Sequence, residues 1–357
     1  MSKPQSDTDT LVARIEAALR GFLDEHCAEL RSLGADLNAM ADAAADLVLA
    51  GGKRIRPQFA YWGWRCVHHS GADGEERSIV AAASLELLHA AALVHDDLID
   101  ASATRRGRPA AHTRFAALAL AGGAGPGEAA AFGSAAAILL GDQLLSWSAA
   151  MLATSGPVPI RSTELFGATA QEIMAGQYLD VLAQVSGGYS VEAALRVARF
   201  KSAKYSVERP LQFGAAFGNA GPETLNALSA FGLPLGEGFQ LRDDVLGVFG
   251  DPALTGKPAG DDLREGKRTV LVSLAHQSSD EAGRREPDTG LGNADLDAAG
   301  IDRLRDIIVS TAALESVEEM IADRVDEART ALADAVIRPD ARRALSQLVD
   351  RVTTRTA

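Results

Sequence analysis

Residues Ser78–Ile99, with the sequence SIVAAASLELLHAAALVHDDLI, decide the fold class that we predict for this chain. The stretch contains no glycine or proline and is rich in Ala and Leu, which favour helices over strands. Apolar residues lie on nearly all sides of the predicted helix, so we expect it to be buried in a core. Three aspartates, Asp96, Asp97 and Asp100, stand where this apolar pattern ends.

Helical patterns continue on both sides of this stretch. Near the N-terminus, Leu11, Ile15 and Leu19 recur every four residues, as on one face of a helix. Because no stretch alternates like a strand and no linker divides the chain, we predict an all-α protein with a single domain over residues 1–357. The longest polar segment, residues 277–300, predicts a mobile surface insertion. Further helices are predicted at Ala135–Leu145, Leu165–Leu182, Val191–Gly214, Ile301–Val309, Ser316–Ala335 and Asp340–Val352.

The composition limits the partners and the location that we expect. With 48 acidic and 35 basic residues, the 357-residue chain carries a net charge of −13, which argues against nucleic acid as a partner. Its two cysteines are too few for a disulfide framework and indicate a reducing compartment. The N-terminus is polar, and no apolar run reaches the roughly 20 residues that cross a bilayer. We therefore expect a cytoplasmic protein without a transmembrane segment.

Two acidic clusters interrupt apolar helices. At 100° per residue, Asp96, Asp97 and Asp100 project within about a third of the circumference of one helix. Like charges at this spacing repel each other, and the C-terminal end of a helix dipole is also unfavourable for them. Such an arrangement suits Mg²⁺, although a solvated acidic helix end would give the same string. A second pair, Asp243 and Asp244, occurs in GFQLRDDVLGVFGD, where burying an uncompensated carboxylate would cost several kcal/mol.

Local basic clusters supply the opposite charge. Arg binds phosphate groups through two hydrogen bonds, and Lys supplies a point charge. In a protein with a large acidic excess, such clusters indicate an anionic ligand, the alternative being an ion-pair network on the surface. The clusters are Lys53, Arg54 and Arg56 in GGKRIRP; Arg105, Arg106 and Arg108 in TRRGRP; and the separate lysines Lys201, Lys204, Lys257 and Lys267.

Six strings occur in a fixed order between Gly51 and Val272: GGKRIRP, HDDLIDASATRRGRP, MAGQYLD, KSAKYSVERPL, GFQLRDD and TGKPAGDDLREGKRT. Together they resemble the trans-polyprenyl diphosphate synthases, which are class I prenyltransferases, and most of all the bacterial geranylgeranyl diphosphate synthases. The resemblance implies a helical bundle around a deep central cavity, usually as a homodimer. It also implies a Mg²⁺-dependent, head-to-tail condensation of isopentenyl diphosphate with dimethylallyl, geranyl or farnesyl diphosphate, through an allylic carbocation and with three Mg²⁺ ions.

The resemblance also assigns roles to individual residues. For three of the residues named below, His89, Tyr205 and Phe239, the alternative to a role at the site is packing in the core. The implied metal-site residues are Asp96, Asp97, Asp100, Asp243 and Asp244, supported by Gln177 and Asp180. Arg105, Lys201, Lys257 and Lys267 would hold the allylic diphosphate, and Lys53, Arg56, His89 and Arg106 would hold isopentenyl diphosphate. The reacting centre would be lined by Ser202, Tyr205, Phe239 and Gln240. The residues assigned to catalysis are Lys201, Ser202, Tyr205, Gln240 and Asp243.

One position departs from the family pattern. Many relatives repeat DDxxD in the second cluster, whereas this chain has Gly247 at the last position. Water can replace a carboxylate on Mg²⁺. Asp251 would return to the same helix face, although Pro252 suggests that the helix stops there. The departure leaves open a non-catalytic subunit of a heteromeric prenyltransferase, while a terpene cyclase would lack GGKRIRP.

Residues one turn before Asp96 are expected to form the floor of the path for the growing chain. Ala91 and Ala92 are small there, where relatives with shorter products often carry a bulky aromatic residue. One turn further back, Leu88 or Leu87 would close the path, alongside the predicted helix at 135–147. We therefore predict a twenty-carbon product, geranylgeranyl diphosphate, with farnesyl or longer-chain products as alternatives.

Overall fold

The computed structural model describes residues 7–251, 260–293 and 295–353. These residues are almost entirely helical, which confirms the predicted all-α fold. The one sheet in this part of the chain is a hairpin of two short strands, β1 (Thr104–Arg105) and β2 (Arg108–Pro109). The helices are α1 (Asp7–Ser32), α2 (Asn38–Leu49), α3 (Ile55–Arg65), α4 (Glu75–Ile99), α5 (Ala111–Ala121), α6 (Pro126–Thr154), α7 (Ile160–Ser186), α8 (Val191–Ala198), α9 (Arg209–Phe217), α10 (Pro222–Phe249), α11 (Asp261–Arg264), α12 (Val270–Ser278), α13 (Glu281–Gly290), α14 (Ala298–Ser310), α15 (Ala313–Asp334) and α16 (Pro339–Thr353). Shorter elements are a 3₁₀ turn (Ala35–Leu37) and a π-helical segment (Arg199–Glu208).

Contacts divide the chain into two compact units, each assembled from stretches that are distant in sequence. The first comprises Met1–Thr104, Pro109–Phe166 and Pro210–Leu225, and the second comprises Arg105–Arg108, Gly167–Arg209 and Asn226–Ala357. The chain thus passes repeatedly between units, which explains why no linker is visible in the sequence. A single domain over residues 1–357 remains a prediction.

In the first unit, the Ala- and Leu-rich helix α4 lies at the centre of the core. It packs against α1, α3 and α6, and α6 also packs against α5. The side chains of Leu85, Leu87, Leu140 and Leu144 are almost completely inaccessible. The apolar pattern on all sides of residues 78–99 therefore has the expected consequence, a buried helix.

The polar stretch at 277–300 contains helix α13 and the beginning of α14. The side chain of Asp280 accepts a hydrogen bond from the backbone N–H of Gly283 at 2.8 Å, and Asp297 caps α14 in the same way. Two N-cap aspartates thus start helices within this stretch, and Pro287 is buried. The mobility of this stretch remains a prediction.

Two helices, α4 and α6, are long and apolar enough to cross a membrane. Most of the apolar window of α4 is buried inside the protein, and slightly less than half of that of α6 is buried. The core helix of a soluble protein passes the same test, so this observation is weak evidence for a membrane span.

Candidate active site

The first acidic cluster lies at the C-terminal end of α4, in the first unit. Asp96 and Asp97 belong to its last turn, and Asp100 follows the helix, with its N–H bonded to the carbonyl oxygen of Asp96 at 2.8 Å. Asp97 is buried, while Asp96 and Asp100 are half-buried. Oδ1 of Asp96 and Oδ2 of Asp100 are enclosed oxygens that accept no hydrogen bond within the described residues, although both residues make other interactions. Enclosed carboxylate oxygens of this kind are suitable ligands for a hard cation.

A partly open stripe runs along the otherwise buried helix α4. His89, Ala92, Leu93, Asp96 and Asp100 are all of intermediate exposure, and their spacing places them on one side of the helix. The stripe leads from the aspartates past a small alanine toward the middle of the helix. It is the side of α4 on which a ligand can reach the carboxylates.

Helix α6 provides the space in which His95, the residue before Asp96, is packed. A Cβ atom at position 141 would lie 2.7 Å from Cε1 of His95, so Gly141 leaves the space that this imidazole ring occupies. Nε2 of His95 is 3.2 Å from the carbonyl oxygen of Ile138. The close approach positions the last turn of α4 against α6.

The basic loop before α3 is anchored by Arg54, whose role as an anchor the sequence did not reveal. Arg54 is buried, with a φ of 48°, and donates to Glu86 at 3.0 Å and to the carbonyl oxygen of Val48 at 2.8 Å. Glu86 lies one turn before His89 on α4. The buried ion pair therefore holds the loop that carries Lys53, and the start of α3 with Arg56, against the part of α4 that precedes His89.

The second acidic cluster lies on α10, in the second unit. Asp243 is exposed and Asp244 is buried, and the amide of Gln240 donates to Oδ1 of Asp244 at 2.6 Å. Burial raises the pKa of Asp244 well above its ordinary value, and the negative charges of Asp262 and Asp243 add to the effect. The hydrogen bond from Gln240 and the charge of Lys267 oppose it. A divalent cation near these carboxylates would relieve the charge that the site concentrates.

Lys201, Ser202 and Tyr205 lie on the π-helical segment, where the sequence predicted a continuous helix over Val191–Gly214. The predicted helix is present, but in this stretch its hydrogen bonds shift to the wider π register, a feature that is frequent at functional sites. Lys201 donates to Oδ2 of Asp180 on α7 at 2.6 Å. Lys201 and Asp180, two predicted site residues, are thus in direct contact.

Two glycines hold the π-helical segment in place. A Cβ atom at Gly176, on α7, would lie 2.5 Å from Cα of Lys201, and one at Gly236, on α10, would lie 2.8 Å from Cα of Ala203. Real Cβ atoms essentially never approach backbone atoms this closely. Glu172 adds an ionic contact by accepting from Lys204 at 2.8 Å.

The helix that carries the second cluster ends at Phe249, so Asp251 lies beyond it and is exposed. Asp251 therefore does not return to the helix face of Asp243 and Asp244, so that expectation is wrong. Beside Gly247 lies another acid: a Cβ atom at this position would be 2.6 Å from Cγ of Asp262. Lys267 donates to Oδ1 of Asp262 at 3.1 Å and also contacts Glu265.

The remaining predicted residues occupy several elements. Arg105 and Arg106 belong to the β1–β2 hairpin, whose two-residue turn has positive φ angles at Arg106 (52°) and Gly107 (71°), as tight hairpins require. Tyr205 is buried, Phe239 is half-buried, and Gln177 follows Gly176 on α7. Lys257 lies outside the described residues.

The donor sets fit Mg²⁺, although they form no complete cage. Within the described ranges, no group of three or more His, Cys, Asp or Glu side chains is arranged to hold a metal ion by itself. Mg²⁺ typically binds one or two carboxylates and keeps waters or substrate phosphates as its other ligands. The acidic residues of α4 and α10, with lysines and arginines nearby in the chain, match that requirement.

Comparisons with known proteins agree with this chemistry. A family model described as Polyprenyl synthetase matches residues 38–308. The chain is 32% identical to a geranylfarnesyl diphosphate synthase of Aeropyrum pernix, over 94% of this chain and 99% of that protein. It is 33% identical to a geranylgeranyl diphosphate synthase of Mycobacterium tuberculosis, over 79% of this chain and 75% of that protein.

A solved structure extends the match to the fold. Geranylgeranyl pyrophosphate synthase from Corynebacterium glutamicum, complexed with isoprenyl diphosphate and magnesium, is 37% identical and aligns with a TM-score of 0.93. The alignment covers 98% of this chain and 100% of the other. The resemblance drawn from the six strings is thereby confirmed, and the chain belongs to the polyprenyl synthetase family of prenyltransferases.

Proposed function

We propose that this chain is a Mg²⁺-dependent synthase that condenses isopentenyl diphosphate with an allylic diphosphate and releases geranylgeranyl diphosphate. The observation that carries the proposal is the pair of carboxylate clusters at the ends of two apolar helices, α4 and α10, each within a unit that also carries predicted diphosphate-binding cations. Carboxylates bind the metal ion, and lysine and arginine side chains bind phosphate oxygens, so a metal-bound diphosphate can interact with both kinds of group.

We assign the metal-bound diphosphate of the allylic substrate as the ligand of each cluster, taken within its own unit. Bound Mg²⁺, three ions by the family resemblance, supplies the charge that stabilises the departing diphosphate. Lys201 is oriented by Asp180 and, with Arg105, Lys257 and Lys267, donates hydrogen bonds to the same phosphates. As the C–O bond breaks, these donors stabilise the negative charge that develops on the leaving group.

The second substrate is assigned to the loop before α3. Lys53, Arg56 and His89 bind the diphosphate of isopentenyl diphosphate, with Arg106 from the hairpin, while Arg54 holds the loop in position. The double bond attacks the allylic cation, a C–C bond forms, and the proton lost from the new cation passes to the released pyrophosphate.

Polar and aromatic groups steady the cation between these two events. Nε2 of Gln240 donates to Asp244, so the carbonyl oxygen of this amide faces away from that carboxylate. The oxygen is the negative end of the amide dipole and is therefore available to the cation. The hydroxyls of Ser202 and Tyr205 and the ring face of Phe239 add partial negative charge of the same kind.

The product length is inferred from the partly open stripe on α4. Ala92 belongs to the stripe, whereas Leu88, one turn earlier, is 3% exposed and closes it. The rise from Leu88 to Asp96 is about 12 Å along the helix. Because the two relatives named above differ in product, the length rests on these side chains.

The test is an assay of the purified chain with Mg²⁺, isopentenyl diphosphate and each allylic starter in turn, with mass spectrometry of the dephosphorylated products. We expect a twenty-carbon alcohol from the wild type, shorter products from Ala92→Phe and longer ones from Leu88→Ala. Ala92→Ser is the matched control and should keep the wild-type distribution. Absence of product with every starter would favour the non-catalytic subunit, and an unchanged distribution in Ala92→Phe would exclude Ala92 from setting the length.

We further propose that the enzyme works as a cytoplasmic homodimer. Large apolar side chains on α5 and α6 in the first unit are 48–60% exposed, a pattern that a second copy of the chain would cover. Light scattering coupled to gel filtration distinguishes the dimer from the monomer. The side chains are Leu118, Leu120, Phe132, Ile138 and Leu139.

A further inference from the structure

The π-helical segment at Arg199–Glu208 carries three predicted site residues, Lys201, Ser202 and Tyr205. Its wider register is visible at the end of the segment, where the backbone N–H of Arg209 donates to the carbonyl oxygen of Lys204, five residues earlier. Helices of this register are rare, and the ordinary α-helix is the common state of a helical chain. Contacts from outside the segment must therefore hold it in the π register.

A buried acid on α10 supplies such a contact at the start of the segment. The side chain of Glu237 is 4% exposed, and its Oε1 accepts from Nε of Arg199 at 2.7 Å. Its Oε2 lies 2.9 Å from Nε of Arg324 on α15. Each oxygen of the acid thus has its own guanidinium partner, and all three residues belong to the second unit. Two charge-assisted contacts fix the orientation of the carboxylate.

Glu237 also lies beside the predicted site on its own helix. Gln240 and Asp244 follow it by three and seven residues, so the three positions share one side of α10. Gly236, the residue before Glu237, lets the backbones come close, since a Cβ atom there would lie 2.8 Å from Cα of Ala203. The turn of α10 that precedes Gln240 therefore contacts the π-helical segment at two points, one ionic and one by close packing.

The two ion pairs of Glu237 have different consequences. Arg199 is the first residue of the segment and precedes Lys201 by two positions, whereas Arg324 belongs to a helix without any predicted site residue. The side chain of Arg199 is 45% exposed, and an ion pair of such a residue contributes little to stability. Its loss would instead free the first turn of the segment. A change of register by one residue rotates the side chains that follow by about 100°.

From these contacts we propose that Glu237 is a positioning residue for the prenyl transfer. It holds Arg199, and Arg199 fixes the register from which Lys201 and Ser202 face the substrate. The inference rests on the proposed function, since Lys201 and Ser202 have their assigned roles only in that reaction. Arg324 keeps the carboxylate in place and has no part in the register.

Five variants test the proposal. Arg199→Met removes the cation and keeps a long side chain, and Arg199→Lys is the conservative variant that keeps the charge. Glu237→Gln removes the charge of the acid and keeps its shape, and Arg199→Met/Glu237→Gln completes a double-mutant cycle. Arg324→Met is the matched control, because it breaks the other ion pair of the same acid.

The first readouts are the steady-state constants and the melting temperature. We expect Arg199→Met and Glu237→Gln each to lower kcat about tenfold or more, with the KM for isopentenyl diphosphate within about twofold of the wild type. The double variant should fall no further than the worse single variant, because both residues act through one contact. Arg199→Lys should recover to within about threefold. Arg324→Met should lower the melting temperature and keep kcat within about twofold.

Hydrogen exchange of the backbone amides, followed by mass spectrometry, reports the segment independently of turnover. Amides at positions 200–205 should exchange at least about tenfold faster in Arg199→Met and at the wild-type rate in Arg324→Met. A role that is only structural would lower the melting temperature in both variants without this difference.

The outcomes separate the proposal from the function on which it rests. Wild-type kcat in Arg199→Met, a kinetic loss in Arg324→Met as large as that in Arg199→Met, or losses that multiply in the double variant each overturn the role of Glu237 and leave the proposed function intact. Arg199→Met leaves Glu237 paired with Arg324, so it tests the contact even if Glu237→Gln does not fold. If the wild type forms no prenyl product with any starter, the proposed function fails and the positioning role fails with it.

Discussion

Replacing Gly176 with alanine tests whether close packing positions the π-helical segment that carries Lys201. The new Cβ atom would lie 2.5 Å from Cα of Lys201 and 2.6 Å from the carbonyl carbon of Phe200. Ordinary van der Waals contact begins at 3.4 Å, so the two backbones must separate by about 1 Å. Because backbone atoms cannot rotate away as a side chain can, we expect a loss of about 1–3 kcal/mol of stability.

The same displacement moves Lys201 relative to Asp180 and to the substrate. A misplacement of about 1 Å can cost roughly a hundredfold in rate, so we expect kcat/KM for the allylic substrate to fall between about tenfold and a hundredfold. The KM for isopentenyl diphosphate should change less, since three of its four assigned residues, Lys53, Arg56 and His89, belong to the first unit.

Gly167 provides the matched control, because it is an exposed glycine on the same helix with no atom within 4 Å of an added Cβ. Gly167→Ala removes backbone freedom from the unfolded chain and should stabilise the protein by about 0.5–1 kcal/mol, without a kinetic effect. Thermal unfolding should therefore show changes in stability of opposite sign for the two variants. Steady-state kinetics should show a loss of activity only for Gly176→Ala. Wild-type kinetics in Gly176→Ala would refute the idea that this contact positions Lys201.

Further predictions concern buried charges and the metal. Arg54→Met leaves the carboxylate of Glu86 buried without its cation and should cost about 3–5 kcal/mol in urea unfolding, with much of the loss recovered by adding Glu86→Leu; equal stabilities of the single and double variants would contradict this. Burial opposes ionisation of Glu172, but hydrogen bonds from Arg209 and Lys204 outweigh it and lower its pKa from the ordinary 4.5. Its stabilising contribution is therefore complete above the unfolded pKa and disappears as pH falls through the lower native value, so Glu172→Gln should be less stable at pH 7, with a gap that closes below pH 4.5. A gap independent of pH would contradict this assignment. Chelation by EDTA should abolish turnover, Mg²⁺ should restore it, and far-UV circular dichroism should stay unchanged; turnover in EDTA would remove the metal from the mechanism.

Local sequence predicted α4 and α10 and the aspartates on them, because helix propensity and the placement of apolar residues are properties of a few consecutive turns. It also singled out Lys201 and Asp180, but the direct contact between them is visible only in the structure. The wider hydrogen-bond register at residues 199–208 was not predictable in this way. It depends on Gly176 and Gly236, which are distant in sequence and whose closeness to the segment is set by tertiary packing.

Arg54 and Asp262 show the same limit for charged residues. The sequence identified Arg54 only as one cation in a basic cluster, but its buried pair with Glu86 makes it the anchor of the loop. Asp262 lies within a string that carried the family resemblance, yet nothing in the string relates it to Gly247. Partners that are distant in sequence, and the direction in which a side chain points, follow from the fold and not from the spacing of letters.

Glycines in this chain have different structural roles, which can be distinguished only by the atoms that surround each one. Gly167 faces open space, Gly176 faces a backbone, and Gly247 faces a carboxylate. The DDxxD pattern of many relatives would place an aspartate at position 247. In space, that aspartate would meet the carboxylate of Asp262, and two like charges at contact distance repel each other strongly away from bulk water. An aspartate at position 247 would therefore fit only if the side chain of Asp262 turned away, and Lys267 opposes that movement by donating to Oδ1 of Asp262.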